Sequence, residues 1–144
     1  MNKRIGFAIL AVAMASAAFL YTAELPKSSA HSSERVYELR TYTTNDGKMN
    51  DLHARFRDHT NGLFVKHGMT LIGYWSPTEI ENKENILIYM LAHDSREAAK
   101  DSWKGFVNDP EWKEAFGNSR KDGPLLSKAP DVVFMSATDY SPLR

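Results

Sequence analysis

Four short apolar segments and two amphipathic helical stretches, in the order βαββαβ, predict an α+β fold. The order places both helices on one face of an antiparallel sheet, the ferredoxin-like arrangement. A chain of 144 residues has room for one ordinary domain and little else. The third apolar segment adds a constraint on assembly. In ILIYMLAH (86–93), Ile86, Ile88 and Met90 share one face while Leu87, Tyr89 and Leu91 share the other. One helix layer covers only one face of a sheet, so the second face calls for another cover. A second identical chain is the simplest.

The elements follow in order from residue 36. VYELRTYT (36–43) alternates with Tyr37, Leu39 and Thr41 on one side and Val36, Glu38, Arg40 and Tyr42 on the other, which is the period of a strand. Asn45-Asp46-Gly47 turns the chain. A helix is expected over 48–67, ended by Gly68 at the position after its cap, with Lys66 and His67 favoured there by the helix dipole. Gly62 lowers helix propensity by about 1 kcal/mol relative to alanine, so a kink is expected near Asn61-Gly62. MTLIGYWS (69–76) reads as a second strand and PTEIENKEN as a polar connection to the third. Asp94 and Glu97 are spaced as a capping box for a helix carrying Ala99, Trp103 and Phe106. Asp109-Pro110 starts another short helix, with aspartate as the cap and proline in the first turn; it carries Trp112 and Phe116, which read most simply as core. Lys121-Asp122-Gly123-Pro124 breaks it, and DVVFMSAT (131–138) is the fourth strand.

Residues 1–30 precede this pattern and differ from it. Lys3 and Arg4 open an uncharged apolar run over 5–21, and the small residues Ser28-Ser29-Ala30 (or Ser16-Ala17-Ala18) offer a cleavage site. That is the layout of a secretory signal peptide, followed by a polar linker over 22–33, with the domain occupying 31–144. An uncleaved anchor is the alternative, because seventeen residues is the short limit of a membrane span. With no cysteine in the chain, lipoprotein attachment is excluded; a mitochondrial presequence would be richer in arginine. The expected location is therefore periplasmic or secreted, with no stable membrane span after cleavage. Without residues 1–30 the chain loses three of its 18 basic residues and one of its 18 acidic ones, leaving 15 against 17, net −2. This balance, with no basic cluster, excludes a nucleic-acid partner. The absence of cysteine also leaves an exported domain without disulfides, so its core alone must hold it.

YELRTYTT, HTNGLFVKHGMTLIGYW, IYMLAHDSREAA and NDPEW resemble, in order and spacing, the NIPSNAP family over residues 35–140. The resemblance implies a dimeric α/β-barrel, a fold shared with small monooxygenases, isomerases and haem-binding proteins. It implies no particular reaction.

Candidate site residues come from two places. Counted at about 100° per residue, Leu52, Phe56, His59, Leu63 and His67 lie on one helical stripe with His59 at its centre. A histidine there is expected to be shielded, either hydrogen-bonded in the core or serving a pocket as ligand contact or general base. His59 and His67 are about 12 Å apart along a helix, too far for one metal ion, and no HxxxH or HExxH pattern exists; no metal site is expected. His67 reads as a helix cap and His93 as a surface residue. On the first strand, Glu38, Arg40 and Tyr42 must be paired or wet if enclosed. The plain reading is an Arg40–Glu38 ion pair; the functional one is a polar anchor in a cavity with aromatic walls such as Tyr74, Trp75 and Tyr89. The candidate ligand-binding set is thus His59, Arg40, Tyr42, Trp75 and Tyr89. No glycine-rich phosphate loop or GxSxG motif is present, and no carboxylate pair stands out. The expectation is a non-catalytic homodimer that binds a small apolar or aromatic molecule or a protein, with no cofactor. The alternatives are a cofactor-free monooxygenase or isomerase, and a haem-binding protein.

Overall fold

The computed structural model describes residues 35–143; the expected signal peptide and linker lie outside them. Four antiparallel strands, β1 (Val36–Thr43), β2 (Thr70–Trp75), β3 (Ile86–His93) and β4 (Asp131–Ser136), form one sheet in the order β2-β3-β1-β4. This is the ferredoxin-like order, with β1 and β3 in the centre. Pairing of Arg40 with Tyr89 and with Val132 fixes the register on both sides of β1. A bulge between Leu71 and Gly73 shifts the register of β2 against β3. It lets Leu71 and Tyr74 lie on the same side as Leu91 and Tyr89.

The helices are α1 (Met49–Arg55), which continues through a π-helical turn (Phe56–Thr60) into α2 (Asn61–Lys66), then α3 (Arg96–Asn108) and α4 (Pro110–Asn118). They cover one sheet face. There Leu87, Tyr89 and Leu91 are buried against Leu52, Phe56, Phe64 and Phe106. Packing is mainly aromatic: Phe56 meets Tyr42, Tyr74 and Tyr89 edge to face at 5.2–5.9 Å between centroids, and Phe64 meets Phe106 at 4.8 Å. On the opposite sheet face Leu39, Ile86, Ile88, Met90 and Met135 are half-buried, and Val133 and Trp75 are exposed.

Three expectations need correction. The first helix is irregular at a π turn just before Gly62, which takes His59 off the buried stripe: the Asn61 N–H donates to the Phe56 carbonyl, five residues back, and the Thr60 hydroxyl to that of Arg55 at 3.2 Å. The wider turn holds one extra residue, so the buried stripe slips by one position. Thr60 takes the inward place a uniform α-helix gives to His59, and His59 is exposed. The capping box is also absent. Ser95, not Asp94, caps α3, its Oγ accepting the Ala98 N–H at 3.0 Å, so Glu97 falls one position too early. Phe116, read as core, is 37% exposed. The other cap is as expected: Asp109 Oδ1 accepts the Glu111 N–H at 2.9 Å, with Pro110 in the first turn. Gly68 takes φ +80°, a left-handed conformation that stops α2 and suits glycine.

Candidate functional site

A chain of polar side chains runs through the helix side of the sheet. Alternation along β1 points Glu38, Arg40 and Tyr42 toward the helices, and the register sets Leu91, Tyr89 and Leu87 beside them. Glu38 is fully buried. Its Oε2 accepts from Trp103 Nε1 at 2.7 Å and pairs with His93 Nε2 at 2.8 Å; its Oε1 accepts from Arg40 Nε at 2.8 Å. Burial pushes the carboxyl pKa up, but the hydrogen bonds from His93 and Trp103 and the charge of Arg40 outweigh it, and the group stays below its ordinary value. The Arg40 guanidinium lies 3.9 Å over the Trp103 ring, and its Nη1 reaches the Tyr42 hydroxyl at 3.5 Å. That hydroxyl also accepts from Tyr89 at 3.0 Å. Burial holds the Tyr89 phenol well above its ordinary pKa, so it stays neutral.

His93 is therefore a core residue and not a surface one. It ends β3 on the inward side, because the alternation of Leu87, Tyr89 and Leu91 continues to position 93. Period-two counting contained that signal.

Tyr42 joins this chain to a cavity of about 320 Å³ lined by β1, α1, α4 and the segment between α4 and β4. The segment is tied to the end of β1: Asn45 Nδ2 donates to the Pro124 carbonyl at 2.8 Å, and the Asn45 and Ser127 N–H groups donate to Leu125 and Thr43, each at 2.9 Å. These bonds hold Leu125, which is 1% exposed, against the sheet. Trp112 and Phe116, on one side of α4 at the i, i+4 spacing, supply an aromatic wall with centroids 5.3 Å apart.

Two arginines also line it. Arg55 projects inward from the last turn of α1 and is 5% exposed. Its Nη1 donates to Ser119 Oγ at 3.2 Å, and its Nε is buried without a hydrogen-bond partner among the described residues. Its guanidinium carbon lies 5.3 Å from the Trp112 ring and 5.5 Å from that of Phe116, while Arg120 lies over Phe116 at 4.7 Å. Burial holds the Arg55 pKa below its ordinary value; Tyr42 and Tyr89 oppose this, and the like charge of Arg120 adds to it least.

Of the residues expected to bind a ligand, the structure brings Arg40, Tyr42 and Tyr89 together, and Tyr42 alone of these lines the cavity. Trp75 is 48% exposed and lies with Ile88 on the opposite face of the sheet. His59 lines a shallow outer cleft with Asp51, Asp58 and Asp122. His67 caps α2, and its Nε2 pairs with Asp109 Oδ2 at 2.7 Å beside Lys66 at 2.9 Å. Sequence reading missed Arg55, Trp112 and Phe116 as cavity residues. The i, i+4 aromatic pair was visible, but its facing depended on α4 and on the loop after it. Among the described residues no three His, Cys, Asp or Glu side chains converge as a metal site.

The family model for NIPSNAP matches residues 37–142. No curated protein matches the chain. Among solved structures it is similar to a NIPSNAP family protein of unknown function from Agrobacterium tumefaciens, with a TM-score of 0.66 and 23% identity over 79% of this chain and 97% of that one. An uncharacterised NIPSNAP-like domain protein from Burkholderia xenovorans gives a TM-score of 0.65 and 19% identity, over 76% and 90% of the two chains. The cofactor-independent oxygenase SnoaB from Streptomyces nogalater shares the fold more distantly, with a TM-score of 0.51 and 12% identity over 76% and 98%.

Proposed function

The chain belongs to the NIPSNAP family, and on that premise we propose that the mature protein is an exported homodimer that binds a small aromatic or apolar molecule without transforming it. The observation that carries the reading is the cavity beside Tyr42, walled by Trp112, Phe116 and Leu125. Its volume of about 320 Å³ lies at the lower end of the range for ligand pockets, and its walls are mostly apolar with few polar groups.

The buried polar chain behind it favours binding over catalysis. Glu38 is engaged by three donors, and Tyr89 is neutral and enclosed. These groups hold one another and, through Tyr42, the back of the cavity. Homodimerisation would place a second sheet over the apolar face that carries Ile88 and Met90. The basic and apolar layout of residues 1–30 supports export.

Native mass spectrometry of protein purified from its own host tests the reading. The expected result is a dimer of chains lacking about the first thirty residues, with an organic molecule retained. Protein that carries no small molecule from its host and takes up none from an aromatic library overturns the binding role.

A further inference from the structure

The cavity contains a charge that its walls do not balance. Arg55 is 5% exposed and, among the described residues, makes one hydrogen bond, to the neutral Ser119 hydroxyl. Its Nε has no partner, and no carboxylate among the described residues forms an ion pair with it. Asp51, Asp58 and Asp122 share an outer cleft with part of Arg55, yet none of them pairs with it. The cavity lining adds a second cation, Arg120, whose like charge acts on the Arg55 guanidinium. Lys128, also in the lining, is already paired with Asp131 at 2.7 Å.

A buried guanidinium is ordinarily matched by an anion, because its desolvation is otherwise uncompensated. Here the charge borders empty space, with a second guanidinium at the same aromatic ring. Arginine also suits this role chemically: it keeps its charge at any physiological pH, and its planar fork matches a carboxylate with two parallel hydrogen bonds.

We infer that the cavity takes a small organic acid with a flat apolar body, its carboxylate set against Arg55 and Arg120 and its ring against Trp112 and Phe116. This rests on the small-molecule reading above and names the ligand class for that site. Trp112 and Phe116 supply aromatic surface in the cavity wall for the body of the ligand, and the apolar walls exclude a highly charged or strongly hydrated one. The same two rings already hold both guanidiniums in place, at 4.7–5.5 Å, so the cationic end is positioned before a ligand arrives.

Isothermal titration of the purified protein with benzoate and 2-naphthoate, beside benzamide and 2-naphthamide, tests this. The amides keep the ring and remove the charge. The acids are expected to bind about tenfold more tightly or better, since a charge-assisted pair to a buried guanidinium is at stake. Arg55→Gln should abolish that preference, and Trp112→Leu should weaken acids and amides alike. Should Arg55→Gln not fold, Arg120→Gln at an exposed position should lower the preference by itself. Equal affinity for acid and amide overturns the acid inference while leaving a small-molecule site. Failure of all four probes at millimolar concentration overturns the inference too; the small-molecule reading then stands or falls on the native mass spectrum.

Discussion

Glu38 shows how one residue organises the interior. Its carboxylate is the shared acceptor for three donors from three elements: Arg40 on β1, His93 on β3 and Trp103 on α3. Removing it strands all three. Glu38→Ala is expected to destabilise the protein by about 3–5 kcal/mol, the usual consequence of leaving a buried charge without its partner. Urea denaturation at neutral pH measures it. The pH dependence follows from the lowered pKa of this carboxyl. Its contribution is fully present above the ordinary value of 4.5 and is lost as pH falls through the lower folded-state value. The stability gap between the wild type and Glu38→Ala should therefore narrow in acid. A gap that widens below pH 4.5 would show that Glu38 is held protonated in the fold.

The π turn is the feature of element scale that decides most. In a uniform α-helix Phe56, His59 and Leu63 would share the buried face; one extra residue in the turn moves Thr60 inward and His59 out. A π turn is equivalent to a single insertion, so removing one exposed residue from it should restore an α-helix without rotating the flanking apolar faces far. Deletion of Asp58 is expected to leave a folded protein, with the same far-ultraviolet circular dichroism and a melting temperature within a few degrees of the parent. Deletion of Lys104 from the regular helix α3 removes an exposed residue too. It turns Phe106 away from Trp103 by about 100° and should unfold the domain. Equal tolerance of the two deletions would refute this account of the turn.

For the whole molecule, the two faces of β3 make opposite predictions. Leu87 is 2% exposed under the helices, whereas its neighbour Ile88 lies on the other face, half-buried in a single chain. Leu87→Glu should abolish folding, because an unpaired carboxylate buried there costs several kcal/mol. Ile88→Glu should fold and, if a second sheet covers this face, give a monomer by light scattering at concentrations where the parent is a dimer. The parent's melting temperature should also rise with protein concentration, and that of Ile88→Glu should not. A monomeric parent, or an Ile88→Glu protein that remains dimeric, removes this face from the assembly.

Period-two alternation, the Gly68 stop and the Asp109-Pro110 start were sufficient for the strands, the α2 terminus and the α4 cap, because each depends on residues adjacent in the chain. Alternation also placed Glu38, Arg40 and Tyr42 on one face and left the outer face of β3 apolar. What local pattern could not decide was which face the helices would choose, and hence that this polar trio would be enclosed by Trp103 and His93. Nor could it show that α4 and the loop after it would bring Trp112 and Phe116 against Arg55, more than fifty residues earlier in the chain. His59 fell between the two kinds of information. Its stripe was legible, but a π turn between the buried Phe56 and the buried Leu63 and Phe64 removes it from the stripe. A hydrophobic period is set by neighbours along the chain, whereas burial of a charge is settled only by what the fold places around it.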